Sequence, residues 1–218
     1  MELKGKKINF LGDSITEGVG TSAPEHIYLN VLAEKAQLAE ARNYGISGTR
    51  IARQTRPFME YVELDQLDFC RRYTEMDDDA DVVVVFGGTN DFGHGDAPLG
   101  AFEDRTPATF YGACHYLFSG LRTKYPTAEI VIMTPLHRTE EDVTTLEYAK
   151  GETLATVRHA ILEVAEYYAL PIVDLWATSG IQPRLESSRV THCPDGVHPN
   201  DRGHEIIASR LLGVLRAL

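Results

Sequence analysis

Ser14 follows Gly12-Asp13, and far along the chain Asp195 and His198 stand three residues apart in a loop that also holds Gly196 and Pro199. A serine hydroxyl is a poor nucleophile until a neighbouring base takes its proton. A carboxylate three residues before a histidine can reach one imidazole nitrogen, fix the tautomer and leave the other nitrogen for the serine. The chemistry such a trio performs is acyl transfer, which needs hydrogen-bond donors aimed at the developing oxyanion. Gly48 offers a bare backbone N–H that can approach a substrate closely, and Asn90 offers a side-chain amide. Each residue also has a plain structural alternative. Ser14 fits a helix N-cap, Asp195 and His198 a solvated turn, Gly48 a turn and Asn90 an Asx-turn. Nor is the histidine unique: there are eight, and His192 and His204 flank the same loop.

Strands and helices must hold these residues, and the hydrophobic pattern supplies them. Short apolar runs at 7–11, 39–43, 81–86, 129–134 and 170–174 read as strands, alternating with longer amphipathic stretches. The third contains Val82-Val83-Val84-Val85, apolar on both faces and β-branched, as a strand covered on both sides must be. Leu154, Val157, Ile161, Val164 and Tyr168 recur at helical spacing before Pro171. Ile207, Leu211 and Val214 do the same near the end, with Asn200 as N-cap. Alternating strand and helix predicts a parallel sheet with helices on both faces. No repeat, low-complexity segment or linker interrupts it, so residues 1–218 read as a single α/β domain. Chemistry in such sheets collects at the carboxyl ends of the strands. The first strand runs into Gly12-Asp13-Ser14, where Gly12 allows a sharp turn. The second runs into residues 43–48, the third into Gly87-Gly88-Thr89-Asn90-Asp91, and residues 195–199 precede the final helix. All four segments are expected on one rim.

Composition removes several classes of function. A chain of 218 residues, 43% hydrophobic, can bury a core without disulfides or metal. Lys plus Arg is 21 against 32 Asp plus Glu, a net charge of -11, which argues against nucleic-acid and anionic-membrane partners. Cys70, Cys114 and Cys193 are scattered and read as small buried hydrophobes. The apolar stretch after the basic start is too short for a signal peptide, and the expected setting is cytoplasmic. No G-x-S-x-G elbow, P-loop or H-E-x-x-H motif occurs. Gly18-Val19-Gly20 before Ala23 mimics a dinucleotide fingerprint but starts too far from the first strand; it reads as a mobile loop beside Ser14. His192, Cys193, Asp195 and His198 are metal-ligand types without zinc-site spacing, so no metal is expected. Residues 92–96 read as a lid or pocket wall, or else as an exposed loop. Asp77-Asp78-Asp79 reads as a solvated turn, and Trp176 as core.

In order, Gly12-Asp13-Ser14, Ser47-Gly48, Gly88-Thr89-Asn90-Asp91 and Asp195-x-x-His198-Pro199 resemble the blocks of the SGNH hydrolases, or GDSL-type esterases and lipases. The resemblance runs from residue 8 to the last helix. It implies a flavodoxin-like three-layer α/β/α sandwich with a mainly parallel five-stranded sheet, and neither metal nor organic cofactor. It implies Ser14 as nucleophile, His198 as base and Asp195 as the residue orienting it. The implied oxyanion hole comprises the backbone N–H groups of Ser14 and Gly48 and the side chain of Asn90. Gly45 and Gly48 are both available in the second block; the family's habit of placing the donor glycine after a small residue favours Gly48. The expected protein is a serine esterase acting on small carboxylic esters through an acyl-enzyme, with a small-molecule partner and neither nucleic acid nor membrane. Short-chain acyl or O-acetyl groups are the expected substrates, with a sugar ester preferred because no long apolar segment suggests a lipid tunnel. The alternative is a non-catalytic carbohydrate- or lipid-binding module on the same fold, against which the intact Ser14, Asp195, His198 and Asn90 set argues.

Overall fold

A computed structural model describes residues 1–55, 67–142 and 152–218. Five strands form one sheet: β1 (Lys7–Gly12), β2 (Glu40–Gly45), β3 (Val82–Phe86), β4 (Glu129–Met133) and β5 (Ile172–Val173), in the order β2-β1-β3-β4-β5. Every pairing is parallel, and this is the flavodoxin-like order. Nine α-helices connect and flank them among the described residues: α1 (Ser14–Glu17), α2 (Tyr28–Ala36), α3 (Phe69–Arg72), α4 (Thr89–His94), α5 (Phe110–Lys124), α6 (Leu154–Tyr167), α7 (Leu175–Thr178), α8 (Glu186–His192) and α9 (Asp201–Ala217).

Successive strand residues point to opposite faces, so the valine run feeds two cores. Val83 and Val85 join Leu11, Ile130 and Ile132 beneath α5 and α6. Val82 and Val84 join Ile8, Phe10 and Phe86 beneath α2 and α9. The result is three layers with β1, β3 and β4 dry on both sides. In α6, Leu154, Val157, Ile161 and Val164 are buried, and Tyr168 caps its end. In α9, Ile207 and Leu211 are buried and Val214 lies at the margin beside buried Leu215. Asn200 caps α9 by accepting the Gly203 N–H at 3.2 Å.

Several expectations need correction. β2 runs two residues past 43, because Tyr44 pairs with Leu11 and Gly45 with Gly12. β5 has two residues rather than five: Asp174 leaves the ladder at once to cap α7. Of residues 92–96, Phe92, Gly93 and His94 are not loop but the buried end of helix α4, which Gly95 terminates. The turn around Gly20 packs against Pro199 and His198. The acidic run is the exposed turn its composition predicts, and it carries ion pairs as well: Asp79 meets Lys7 and Arg42, and Asp78 meets Lys124. Trp176 is partly buried, its ring 3.8 Å from that of His137. All three cysteines are buried and unpaired. Among the described residues no helix is long and apolar enough to cross a membrane.

Candidate active site

Register brings the site together. Gly12, Gly45 and Phe86 lie side by side at the ends of β1, β2 and β3, so the segments that follow leave the sheet at one edge. After Gly12 the N-cap of α1 is Asp13, whose Oδ1 accepts the Ile15 N–H at 3.0 Å. Ser14 is therefore the first helical residue and not the cap. Its backbone N–H falls among the orphan donors of a helix start. Its Oγ lies 2.9 Å from His198 Nε2.

His198 is aimed from its other side. Its Nδ1 lies 2.7 Å from Asp195 Oδ2, while Asp195 Oδ1 accepts the N–H groups of Val197 at 2.8 Å and His198 at 2.7 Å. This network assigns the proton to Nδ1 and leaves the Nε2 lone pair for Ser14. Partial burial alone would raise the Asp195 carboxyl, but the N–H groups of His198 and Val197 and the His198 ring hold it below its usual value. The loop is braced from the β4 side, where the Thr139 N–H donates to Gly196 O at 2.9 Å.

The flanking histidines part company with His198. His204 is fully buried, its Nδ1 accepting the Tyr28 N–H at 3.1 Å, and burial pushes it down to about 4. His192 ends α8, and its carbonyl accepts the Asn200 N–H at 2.9 Å.

Geometry also separates the two glycines. Gly45 is the last residue of β2, where a Cβ would lie 2.2 Å from the Glu17 nitrogen of α1. Gly48 sits in the following turn at φ +74°, a region that side chains disfavour. Its N–H has no protein acceptor among the described residues. Asn90 lies in the first turn of α4, 9% exposed, and its Nδ2 donates to Thr49 O at 3.0 Å. This bond ties Asn90 to the residue after Gly48. Asp91 adds a second tie by accepting the N–H groups of Ile51 and Ala52, each at 2.9 Å.

Two carboxyls beneath the site, buried Asp13 and half-buried Asp91, are pushed upward by desolvation, to about 7 and about 6. For Asp13 the consequence is a falling stability with pH. The folded chain holds the proton more tightly than the unfolded chain, whose carboxyl titrates near 3.8. That stability is complete below the unfolded value and is lost as pH rises through about 7. Asp13→Asn keeps a capping oxygen and cannot ionise. Thermal melts should show it gaining on the parent at about pH 8 and not at about pH 4; an equal gap at both would refute the assignment.

A five-stranded parallel α/β/α sandwich whose carboxyl edge joins a serine, a histidine and an aspartate defines the class. The chain belongs to the GDSL-like lipase/acylhydrolase family, whose model matches residues 10–206. One solved structure is 34% identical, with 100% of this chain and 99% of that one covered and a TM-score of 0.84. A protein from Lactobacillus plantarum is 30% identical, with coverage of 99% and 98% and a TM-score of 0.83. A two-domain esterase active on acetylated mannans, crystallised with mannopentaose, is 22% identical at a TM-score of 0.61, over 97% of this chain and 49% of that one. Among curated proteins none matches. Family membership supports ester hydrolysis as the general activity.

Proposed function

We propose that residues 1–218 form a single serine esterase domain that hydrolyses small carboxylic esters, short-chain acyl or O-acetyl groups, through an acyl-enzyme. The observation that carries this reading is the continuous relay from Ser14 Oγ through His198 to Asp195, at 2.9 and 2.7 Å. His198 Nε2 takes the Ser14 proton as Oγ attacks the carbonyl carbon. The N–H groups of Ser14 and Gly48 and Asn90 Nδ2 meet the oxyanion. Collapse breaks the ester C–O bond, and the imidazolium gives its proton to the departing alkoxide. Water, deprotonated in turn by His198, then attacks the acyl-Ser14 ester, releasing the carboxylic acid and returning the proton to Ser14.

For the alcohol part we propose a carbohydrate. A cleft of about 560 Å³ runs beside the Gly20–Pro199 contact, lined in part by Thr21, Ser22, Thr191 and Asn200. A polar lining that also includes Asp201 and Arg202 suits a hydroxyl-rich leaving group, and the neighbour active on acetylated mannans supplies a precedent on this fold. Three buried free thiols fit the reducing cytoplasm. The test is turnover of p-nitrophenyl acetate and of acetylated oligosaccharides, with mass spectrometry after a phosphonate probe. Turnover with one phosphonyl adduct on Ser14 is expected; absence of both would leave only a binding module.

The side-chain donor can be tested separately. Asn90→Ala should lower kcat by about 10²–10³-fold with little change in KM, since the lost bond matures only in the transition state. Asn90→Asp should be worse, because a carboxylate repels the oxyanion. Near-parental kcat in a cooperatively folded Asn90→Ala would make Asn90 a turn residue only.

A further inference from the structure

Behind the three donors lies a group that no motif announces. Arg72 is the last residue of α3, and its side chain runs inward until the residue is 7% exposed. Burying a guanidinium is unfavourable unless its N–H groups are met. Nη2 donates to Gly12 O and to Thr49 Oγ1, each at 2.9 Å, and Nη1 donates to Tyr44 O at 2.7 Å. The guanidinium carbon sits 5.0 Å from the centre of the Phe69 ring. Nε is buried without an acceptor among the described residues. No carboxylate lies within ion-pair distance of Arg72 among those residues, and Asp13, Asp68 and Glu17 act on it only from further away.

The identity of the acceptors matters. Gly12 stands two residues before Ser14, and Tyr44 is in β2 next to Gly45. Thr49 follows Gly48, and its carbonyl takes the Asn90 amide. One planar fork thus joins the chain segments that present Ser14, Gly48 and, through Thr49, Asn90. We propose that Arg72 is a positioning residue of this site, holding the oxyanion donors in register and setting a fixed positive charge behind them. The proposal rests on the esterase reading above. Burial lowers the Arg72 guanidinium to about 10, so it stays charged at neutral pH. A cation already in place and held by three hydrogen bonds favours the oxyanion without reorganising during the reaction. Lysine could supply the charge, but its three donors sit on one nitrogen and cannot reproduce a planar fork that spans Gly12, Tyr44 and Thr49.

The experiment compares Arg72→Met, Arg72→Lys and Thr49→Val with the parent on p-nitrophenyl acetate, and measures inhibition by phenylboronic acid, which forms a tetrahedral anion on the nucleophile. Rates are referred to the folded fraction. Arg72→Met should lose about 10–100-fold in kcat with KM nearly unchanged, below the loss for a direct donor. Boronate affinity should fall in parallel, and Arg72→Lys should recover part of both. Thr49→Val, which removes one acceptor from the fork, should show a smaller loss with the same split; it and Arg72→Lys carry the test if Arg72→Met fails to fold. Parental kcat and boronate affinity per folded molecule in these variants would overturn the proposal. A parent that neither turns over ester nor binds boronate would instead overturn the esterase reading itself.

Discussion

Ser14→Ala should abolish phosphonate labelling and lower ester hydrolysis by about 10⁴–10⁶-fold, the loss found when a triad nucleophile is removed. Among the described residues the Oγ atom makes one hydrogen bond, to His198 Nε2. Without it the imidazole has nothing to activate, and the remaining donors can assist only attack by water. Folding should be spared. The start of α1 is secured by the Asp13 carboxyl on the Ile15 N–H, not by the serine side chain. Circular dichroism melts should therefore overlay closely with the parent. Labelling that persists, located by peptide mapping on Ser22 or Ser47, would move the nucleophile elsewhere.

What the sequence disclosed follows from how far each signal reaches along the chain. The valine run of β3 declares a two-sided strand because burial on both faces demands apolar residues at consecutive positions. Asn200 declares a helix start because its acceptor is three residues away. Asp195 and His198 are legible for the same reason: their contact is local. Arg72 was silent, because its partners at positions 12, 44 and 49 become neighbours only after β1 and β2 pair. Asp91 sat inside a recognised block without a visible task, since Ile51 and Ala52 are about forty positions away. Residues 92–94 hide their helix for a related reason. The nearby glycines suggest a loop, whereas Gly93 lies 3.0 Å from Arg138 Nη1 at its missing Cβ, and Phe92 lies under the same guanidinium. β5 is shorter than its apolar run because the Leu170 N–H still bonds Ala165 O after α6, Pro171 has no N–H to give, and Asp174 turns away to cap α7. The short helices α1, α7 and α8 are too brief to show a period.

His198→Ala should cost nearly as much activity as Ser14→Ala, and the double variant should be no worse than either, because base and nucleophile act as one unit. The flanking histidines make this a test of placement. His204 lies six residues further on, but its Nδ1 is committed to the Tyr28 N–H and its ring stacks on Tyr28 at 6.0 Å. Removing it leaves a buried donor without a partner, a loss of about 1–3 kcal/mol in stability. His204→Ala should thus melt earlier while keeping near-parental kcat per folded molecule. His192→Ala, at the end of a helix with no buried residue, should change kcat least. Asp195→Asn should fall between these extremes: the amide still occupies the site, but its NH₂ group favours the wrong imidazole tautomer, which leaves Nε2 protonated and unable to take the serine proton. A fully folded His204→Ala without activity, beside an active His198→Ala, would place the base on α9 and sever the relay that joins Ser14 to Asp195.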